Sequence, residues 1–236
     1  MDETIRAKLE QVSTATIATA LFKRGLRNQT IQGVRPLGPL AKSMVGPAFT
    51  LRYIPAREDL NTIDVFKNPT HPQRAGVEAC PPGHVMVMDS RKDARAASAG
   101  AILVTRMMVR GVAGVVTDGG FRDAAEIAKL AIPTFHQRPS APTNLTLNHA
   151  IDTNVPIGCG DAPVFPGDII VGDTDGVIVI PAGIAAEIAD ETTDMTAYED
   201  FVTERVRSGA TIIGLYPATD PANLDLFLAW RAQYGR

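Results

Sequence analysis

The stretch from residue 83 to 136 constrains the fold more than any other part of the chain. Three short apolar runs lie there, at 84–89 (HVMVMD), 113–117 (AGVVT) and 133–136, each bounded by glycine, proline or aspartate. Runs this short and this apolar read as strands covered on both faces. The spacing predicts a helix over residues 96–110, closed by Gly111, and another from Asp123 to about Leu130. Strand, helix, strand, helix, strand in that order calls for parallel βαβ crossovers, so the chain is expected to be α/β.

The flanks add three layers of detail. Leu9, Val12, Ile17, Ala20 and Leu21 recur near helical spacing, Ser13 is placed to cap a second helix, and Gly25 to stop it. Residues 26–44 read as a connection, 45–53 (VGPAFTLRY) as a strand, and 55–82, with five prolines, as irregular chain with one short element. Residues 155–159, 168–173 (DIIVGD) and 176–180 (GVIVI) read as short strands joined by PGD and DTDG turns, which suggests a small antiparallel or barrel-like sheet. Pro181 is placed to start a helix running to about Ser208, and a final helix from Pro221 to about Gln233 carries Trp230. No repeat or linker is evident. The expectation is a single domain over residues 1–236, with a core at about 13–181 and a helical C-terminal extension at about 182–236.

Composition narrows the function classes. Acidic residues number 26 against 23 basic, a net charge of −3, so no global field attracts nucleic acid or an acidic membrane. No apolar run reaches 18 residues and the chain is charged from its second residue, so neither a membrane span nor a secretory leader is expected, and the compartment is expected to be cytoplasmic. Cys80 and Cys159 have no CxxC partner and read as buried thiols. No GxxxxGK[ST], GxGxxG or HExxH motif occurs.

The segment most able to carry chemistry is residues 98–127. Gly119 and Gly120 follow an apolar strand and precede a helix, where backbone amides can converge on an anion, and Arg122 and Asp123 sit in the same turn. Gly100 stands at the start of the preceding helix, where the lack of a side chain lets a carboxylate approach the amides of residues 101–103. A plainer reading competes, because Asp123-x-x-Glu126 is also the spacing of a capping box.

Four stretches resemble the family that holds regulator of ribonuclease activity A and the metal-dependent 4-hydroxy-4-methyl-2-oxoglutarate aldolases. They are STATIATAL (13–21), VGPAFTL (45–51), AGVVTDGGFRD (113–123) and FPGDIIVGDTDGVIVIP (165–181). The resemblance implies a layered α/β/β/α sandwich, assembled as a homotrimer or hexamer. It implies that Asp123 ligates a divalent cation, Mg²⁺ or Mn²⁺, largely through water, as suits a hard oxygen ligand. Arg122 would then be catalytic, contacting the 2-keto oxygen and the enolate formed from it. Gly100, Ala101, Ile102 and Leu103 would form the substrate-binding segment, the amides of Ile102 and Leu103 holding the carboxylate. The partner is accordingly a small 2-oxo acid with a second carboxylate, cleaved by retro-aldol chemistry or decarboxylated to pyruvate, with no nucleic acid and no membrane involved. Two alternatives stay open: a non-catalytic protein-binding regulator, and a metal-dependent enzyme acting on a sugar-acid derivative.

One departure matters. The aldolases of that family carry Asp-x20-Arg-Asp, and Ala101 occupies the first position here, so no carboxylate stands there to orient a metal-bound water. Glu199 is a candidate for a carboxylate supplied by a neighbouring subunit, against the reading of a solvated helix-face residue. His71, His84, His136 and His149 show no metal-ligand spacing, and Asp161, Asp168, Asp173 and Asp175 fall in turns that favour aspartate for local backbone reasons.

Overall fold

A computed structural model describes residues 1–236. The N-terminal helices are α1 (Glu3–Leu9) and α2 (Thr14–Lys23), and the Ser13 hydroxyl caps α2 by accepting from the Thr16 amide. Two-residue strands β1 (Thr30–Ile31) and β2 (Arg35–Pro36) interrupt the expected connection. Strand β3 (Met44–Pro55) is twelve residues long. After a 3-10 turn at Ile63–Lys67 comes α3 (Pro72–Ala79), with proline at its first turn, where a missing N–H costs nothing. Then follow β4 (Val85–Asp89), β5 (Ala97–Ala99), α4 (Ala101–Val109), β6 (Gly114–Thr117), β7 (Gly120–Phe121), α5 (Ala124–Ile127), β8 (Thr134–His136) and β9 (Arg138–Pro139). The last third holds β10 (Asn148–Thr153), β11 (Ile157–Cys159), β12 (Ala162–Val164), β13 (Ile169–Asp173), β14 (Gly176–Ile180), α6 (Ala185–Arg207) and α7 (Pro221–Tyr234).

The main sheet runs β1-β14-β13-β3-β4-β6-β8-β2, with β10 also on β3. Strand β3 is its seam. Residues 44–47 pair antiparallel with β13, 48–52 pair parallel with β4, and 51–55 pair antiparallel with β10. Strands β4, β6 and β8 form the expected parallel block, and β3 extends it by pairing parallel with β4. A second, three-stranded parallel sheet, β5-β7-β9, and the hairpin β11-β12 lie outside the main one. Val85, Val87, Val116, Ile170, Val177 and Val179 form one core beneath the hairpin residues Ile157, Cys159, Ala162 and Val164. Leu51, Met86, Met88 and Val115 turn the other way, toward Val104 and Met107 of α4 and Val77 of α3. Leu9, Ile17, Leu21 and Ile188 bring α1, α2 and α6 onto β13 and β14.

Several expectations need correcting. Residues 97–99 are a strand, so the helix expected over 96–110 begins only at Ala101; the buried Ala-Ser-Ala run is small enough to pack against β7. The helix expected to reach Leu130 is four residues long, because the chain turns back toward β8. Residues 148–153 and 162–164, unassigned in the sequence, are strands. Both cysteines are buried and free, and no helix is long and apolar enough to cross a membrane.

Candidate functional site

The short second sheet builds the site. Ala97 pairs with Gly120 and Ala99 with Phe121, and the Arg122 amide donates to the Ala99 carbonyl at 3.1 Å. That pairing sets Gly100, the residue before α4, alongside Arg122 and Asp123. A β-carbon on Gly100 would stand 2.8 Å from Arg122 Cγ and 2.8 Å from Asp123 Oδ2. Gly100 itself is extended (φ −127°), so its role is close approach rather than backbone freedom.

Asp123 adopts the left-handed conformation (φ 57°), a cost that aspartate tolerates better than most side chains. Its side chain makes no capping bond to α5, and Glu126 instead pairs with Lys129 at 2.8 Å, so the capping box permitted by spacing is not formed. Asp123 Oδ2 accepts from the Ala101 amide at 3.3 Å and lies 3.6 Å from Arg122 Nε. Both side chains are about half exposed, 49% for Arg122 and 44% for Asp123. The carboxylate nearest the first amide of α4 is therefore the protein's own. The Leu103 amide, expected to bind substrate, already donates to the Gly100 carbonyl at 3.1 Å, whereas Ile102, at the second helical position, has no intrahelical acceptor for its amide.

These residues line a cavity of about 480 Å³ with Ala97, Ala99, Ile102 and Leu103. The structure thus brings Gly100, Ile102, Leu103, Arg122 and Asp123 together, while Ala101 is beside Asp123 through its backbone and is not among the lining residues. Phe66, Gln73, Arg74, Thr143 and Asn144 complete the lining. Sequence reasoning missed all five, since they come from the proline-rich stretch and from a connection with no periodicity. Gln73 is buried, and its amide nitrogen lies within hydrogen-bond reach of the Ser98 carbonyl (2.7 Å), the Tyr53 hydroxyl (3.1 Å) and Asn144 Oδ1 (3.3 Å).

Asp118 is the other residue missed. Fully buried at the end of β6, it accepts from the amides of Ser90 (2.6 Å), Gly160 (3.0 Å) and Lys92 (3.1 Å). Burial pushes its carboxyl up to about 6, against the pull of those amides. It anchors two left-handed turns, Arg91-Lys92 and Gly160-Asp161, behind the site. Beside it Ser90, Ser98 and Thr117 form a buried hydroxyl cluster, with 2.6 Å between Ser90 and Ser98 and 2.6 Å between Ser98 and Thr117. An aspartate ending an apolar strand before Gly-Gly was the available signal.

The remaining candidates lie elsewhere. Glu199 is not a solvated helix-face residue: it is partly buried and accepts from Thr16 Oγ1 at 2.8 Å and Tyr216 OH at 3.4 Å. His71 stacks edge-on with His149, and His136 against Phe121; burial lowers all three, His136 to about 4. Asp168 and Asp173 bond backbone amides of Ala182 and Thr14, as turn and cap residues do.

No three His, Cys, Asp or Glu side chains cluster tightly enough to cage a metal. A lone half-exposed carboxylate facing a polar cavity does fit a water-rich hard cation, which keeps most of its hydration shell, and does not fit zinc.

Comparison with known proteins agrees with this architecture. Residues 14–179 match the model of the RraA-like family, described as Aldolase/RraA. A Halalkalibacterium halodurans protein named "Putative 4-hydroxy-4-methyl-2-oxoglutarate aldolase" is 35% identical over 172 residues, 73% of this chain and 74% of its own length. The crystal structure of a Streptomyces coelicolor protein, described as an unusual member of the RNase ES inhibitor RraA protein family, superposes with a TM-score of 0.75 at 30% identity, covering 85% of this chain and 96% of that one. An uncharacterized Pseudomonas syringae protein shares the fold, with a TM-score of 0.76 at 24% identity over 92% of this chain and 98% of that one. The chain belongs to the RraA-like family.

Proposed function

We propose that this RraA-like protein is a divalent-cation-dependent lyase that cleaves a C–C bond of a small dicarboxylic 2-oxo acid and releases pyruvate. The observation that carries this reading is the half-exposed guanidinium–carboxylate pair, Arg122 and Asp123, held beside the start of α4 in a 480 Å³ cavity. A half-exposed guanidinium beside a half-exposed carboxylate, the one able to turn its remaining N–H groups to a ligand and the other its second oxygen to a cation, makes an electron sink for a keto acid.

Asp123 would hold the cation, Mg²⁺ or Mn²⁺, which when bound supplies Lewis-acid stabilisation of the developing enolate oxygen. Arg122 donates to the 2-keto oxygen and strengthens that contact as negative charge builds there during C3–C4 cleavage. The Ile102 amide, at the positive end of α4, holds the adjacent carboxylate. Retro-aldol cleavage also needs an acceptor for the 4-hydroxyl proton, which the Ala101 methyl does not supply. Loss of CO₂ from oxaloacetate leads to the same enolate and asks for no such acceptor, so oxaloacetate is the first substrate to test.

A regulator reading draws on the description of the Streptomyces relative, but such a role gives no reason for a cavity that presents a guanidinium and a carboxylate together. Assembly into a trimer, or a dimer of trimers, is part of the proposal. Ile102 and Val109, two turns apart on α4 and 85% and 68% exposed, are apolar side chains that a neighbouring subunit would cover.

The test is pyruvate release from oxaloacetate with Mg²⁺, corrected for the protein-free rate. EDTA should abolish the protein-dependent turnover, and Arg122→Ala and Asp123→Asn should each lower it by roughly 10²–10³. Turnover unchanged by either substitution rejects the site.

A further inference from the structure

The cavity holds a second guanidinium that the proposed chemistry leaves unused. Arg74, on α3, lines the same space as Arg122. It makes no ion pair anywhere in the chain. The nearest acidic residue on its own helix, Glu78, is taken by Arg106 at 2.8 Å and Arg110 at 3.6 Å. Arg74 instead lies over the Phe66 ring, 4.3 Å from its centroid, and donates to Gln73 Oε1 at 3.3 Å. Gln73 is itself buried and tied to Tyr53, Ser98 and Asn144, so the oxygen that steers Arg74 is fixed. A guanidinium pre-oriented by an aromatic face and an amide, with no carboxylate of its own, is set up for a ligand anion.

We infer that Arg74 binds the second carboxylate of the substrate and so selects dicarboxylic over monocarboxylic 2-oxo acids. This rests on the lyase reading for the keto end of the molecule, where Arg122 is committed. Arg74 is then the only other cationic side chain lining the cavity. With Asp123, the lining carries two positive charges and one negative, a net excess that suits an anion with two carboxylates, all the more with a divalent cation present.

The assignment has a kinetic signature. In retro-aldol cleavage the 4-hydroxyl O–H bond breaks, its proton passing to solvent or a base. The C3–C4 bond breaks, and its electron pair moves onto the C2 oxygen. The second carboxylate stays charged and departs with the carbonyl product, so a contact to it is equal in ground and transition states and acts on KM. In oxaloacetate decarboxylation that carboxylate becomes neutral CO₂, and the same contact holds back the step.

Binding of 2-oxoglutarate and the chain-matched 2-oxopentanoate to the Mg²⁺-loaded protein, measured by calorimetry, tests the inference. The wild type should prefer 2-oxoglutarate by about tenfold to a hundredfold, the range for a hydrogen bond between charged groups. Arg74→Gln should shrink that ratio to within about threefold, and Arg74→Lys, which keeps the charge but not the fork, should restore part of it. With oxaloacetate, Arg74→Gln should raise KM without lowering kcat. If both keto acids bind, with affinity that Arg122→Ala abolishes, and the ratio survives Arg74→Gln, the inference alone is overturned. If neither binds, the lyase reading falls and the inference with it.

Discussion

Replacing Gly100 by alanine tests how tightly the fold positions Arg122 and Asp123. The new β-carbon would stand 2.8 Å from Arg122 Cγ and 2.8 Å from Asp123 Oδ2. Ordinary carbon contacts begin near 3.5 Å, so one side must give by about 0.7 Å. The backbone at 100 is extended and accepts alanine, and the Arg122 amide is tied to the Ala99 carbonyl, so the displacement falls on the two functional side chains. Crowding of this kind costs about 1–3 kcal/mol, a fall in Tm of roughly 2–4 °C per kcal/mol for a chain of this size. A misplacement of about 1 Å costs on the order of 10² in rate, so kcat/KM for oxaloacetate should drop about 10- to 100-fold well below the melting temperature. Gly158→Ala, where a β-carbon meets nothing within 4 Å, is the control and should alter neither quantity. Full turnover in a folded Gly100→Ala protein would refute the claim that this close approach sets the geometry.

Three further predictions concern charge. Asp118 titrates near 6 when folded against 3.8 otherwise, so the folded state holds the extra proton and this group lowers stability as pH rises from about 4 to 6, by at most about 3 kcal/mol. His136, lowered from 6.5 to about 4, acts in the opposite sense, its contribution being lost as pH falls through that window. Asp118→Asn should therefore make the acid-side loss of stability steeper than in the wild type, and His136→Gln should make it shallower; denaturant melts at pH 4, 5 and 6 that show the reverse order would contradict both assignments. Ala101→Asp restores a carboxylate at the first position of α4, where it also suits the helix dipole. It should raise cleavage of 4-hydroxy-4-methyl-2-oxoglutarate by about a hundredfold, the scale of one general acid–base group, and an unchanged rate would show that the missing carboxylate is not what limits aldol chemistry.

The parallel block was readable because β4, β6 and β8 are buried on both faces and so appear as unbroken apolar runs. The cap at Ser13 and the helix start at Pro221 were readable because both rest on local chemistry. What stayed hidden was made by long-range pairing. Residues 97–99 carry a helix-like composition and become a strand only because Gly120 and Phe121 lie beside them. Arg74 sits in a stretch whose prolines mask α3, and its value comes from Phe66 and Gln73 rather than from any motif. Asp118 is set apart by its burial and three backbone donors, which come from Ser90, Lys92 and Gly160 and are distant in sequence. The Arg122–Asp123 pair was found from its strand–glycine–helix setting, but the spacing of Asp123 and Glu126 could not exclude a capping box, which only the side-chain geometry does.

The central claim is that Arg122 and Asp123 together stabilise a pyruvate enolate, and exchange of the pyruvate methyl protons with deuterium reads that enolate without requiring any particular parent substrate. Followed by NMR in D₂O with Mg²⁺ or Mn²⁺, exchange should proceed with the wild-type protein, stop on addition of EDTA, and fall by at least about a hundredfold in Arg122→Ala and in Asp123→Asn. Exchange at the protein-free rate in the wild type, or exchange that survives both substitutions, would contradict the account.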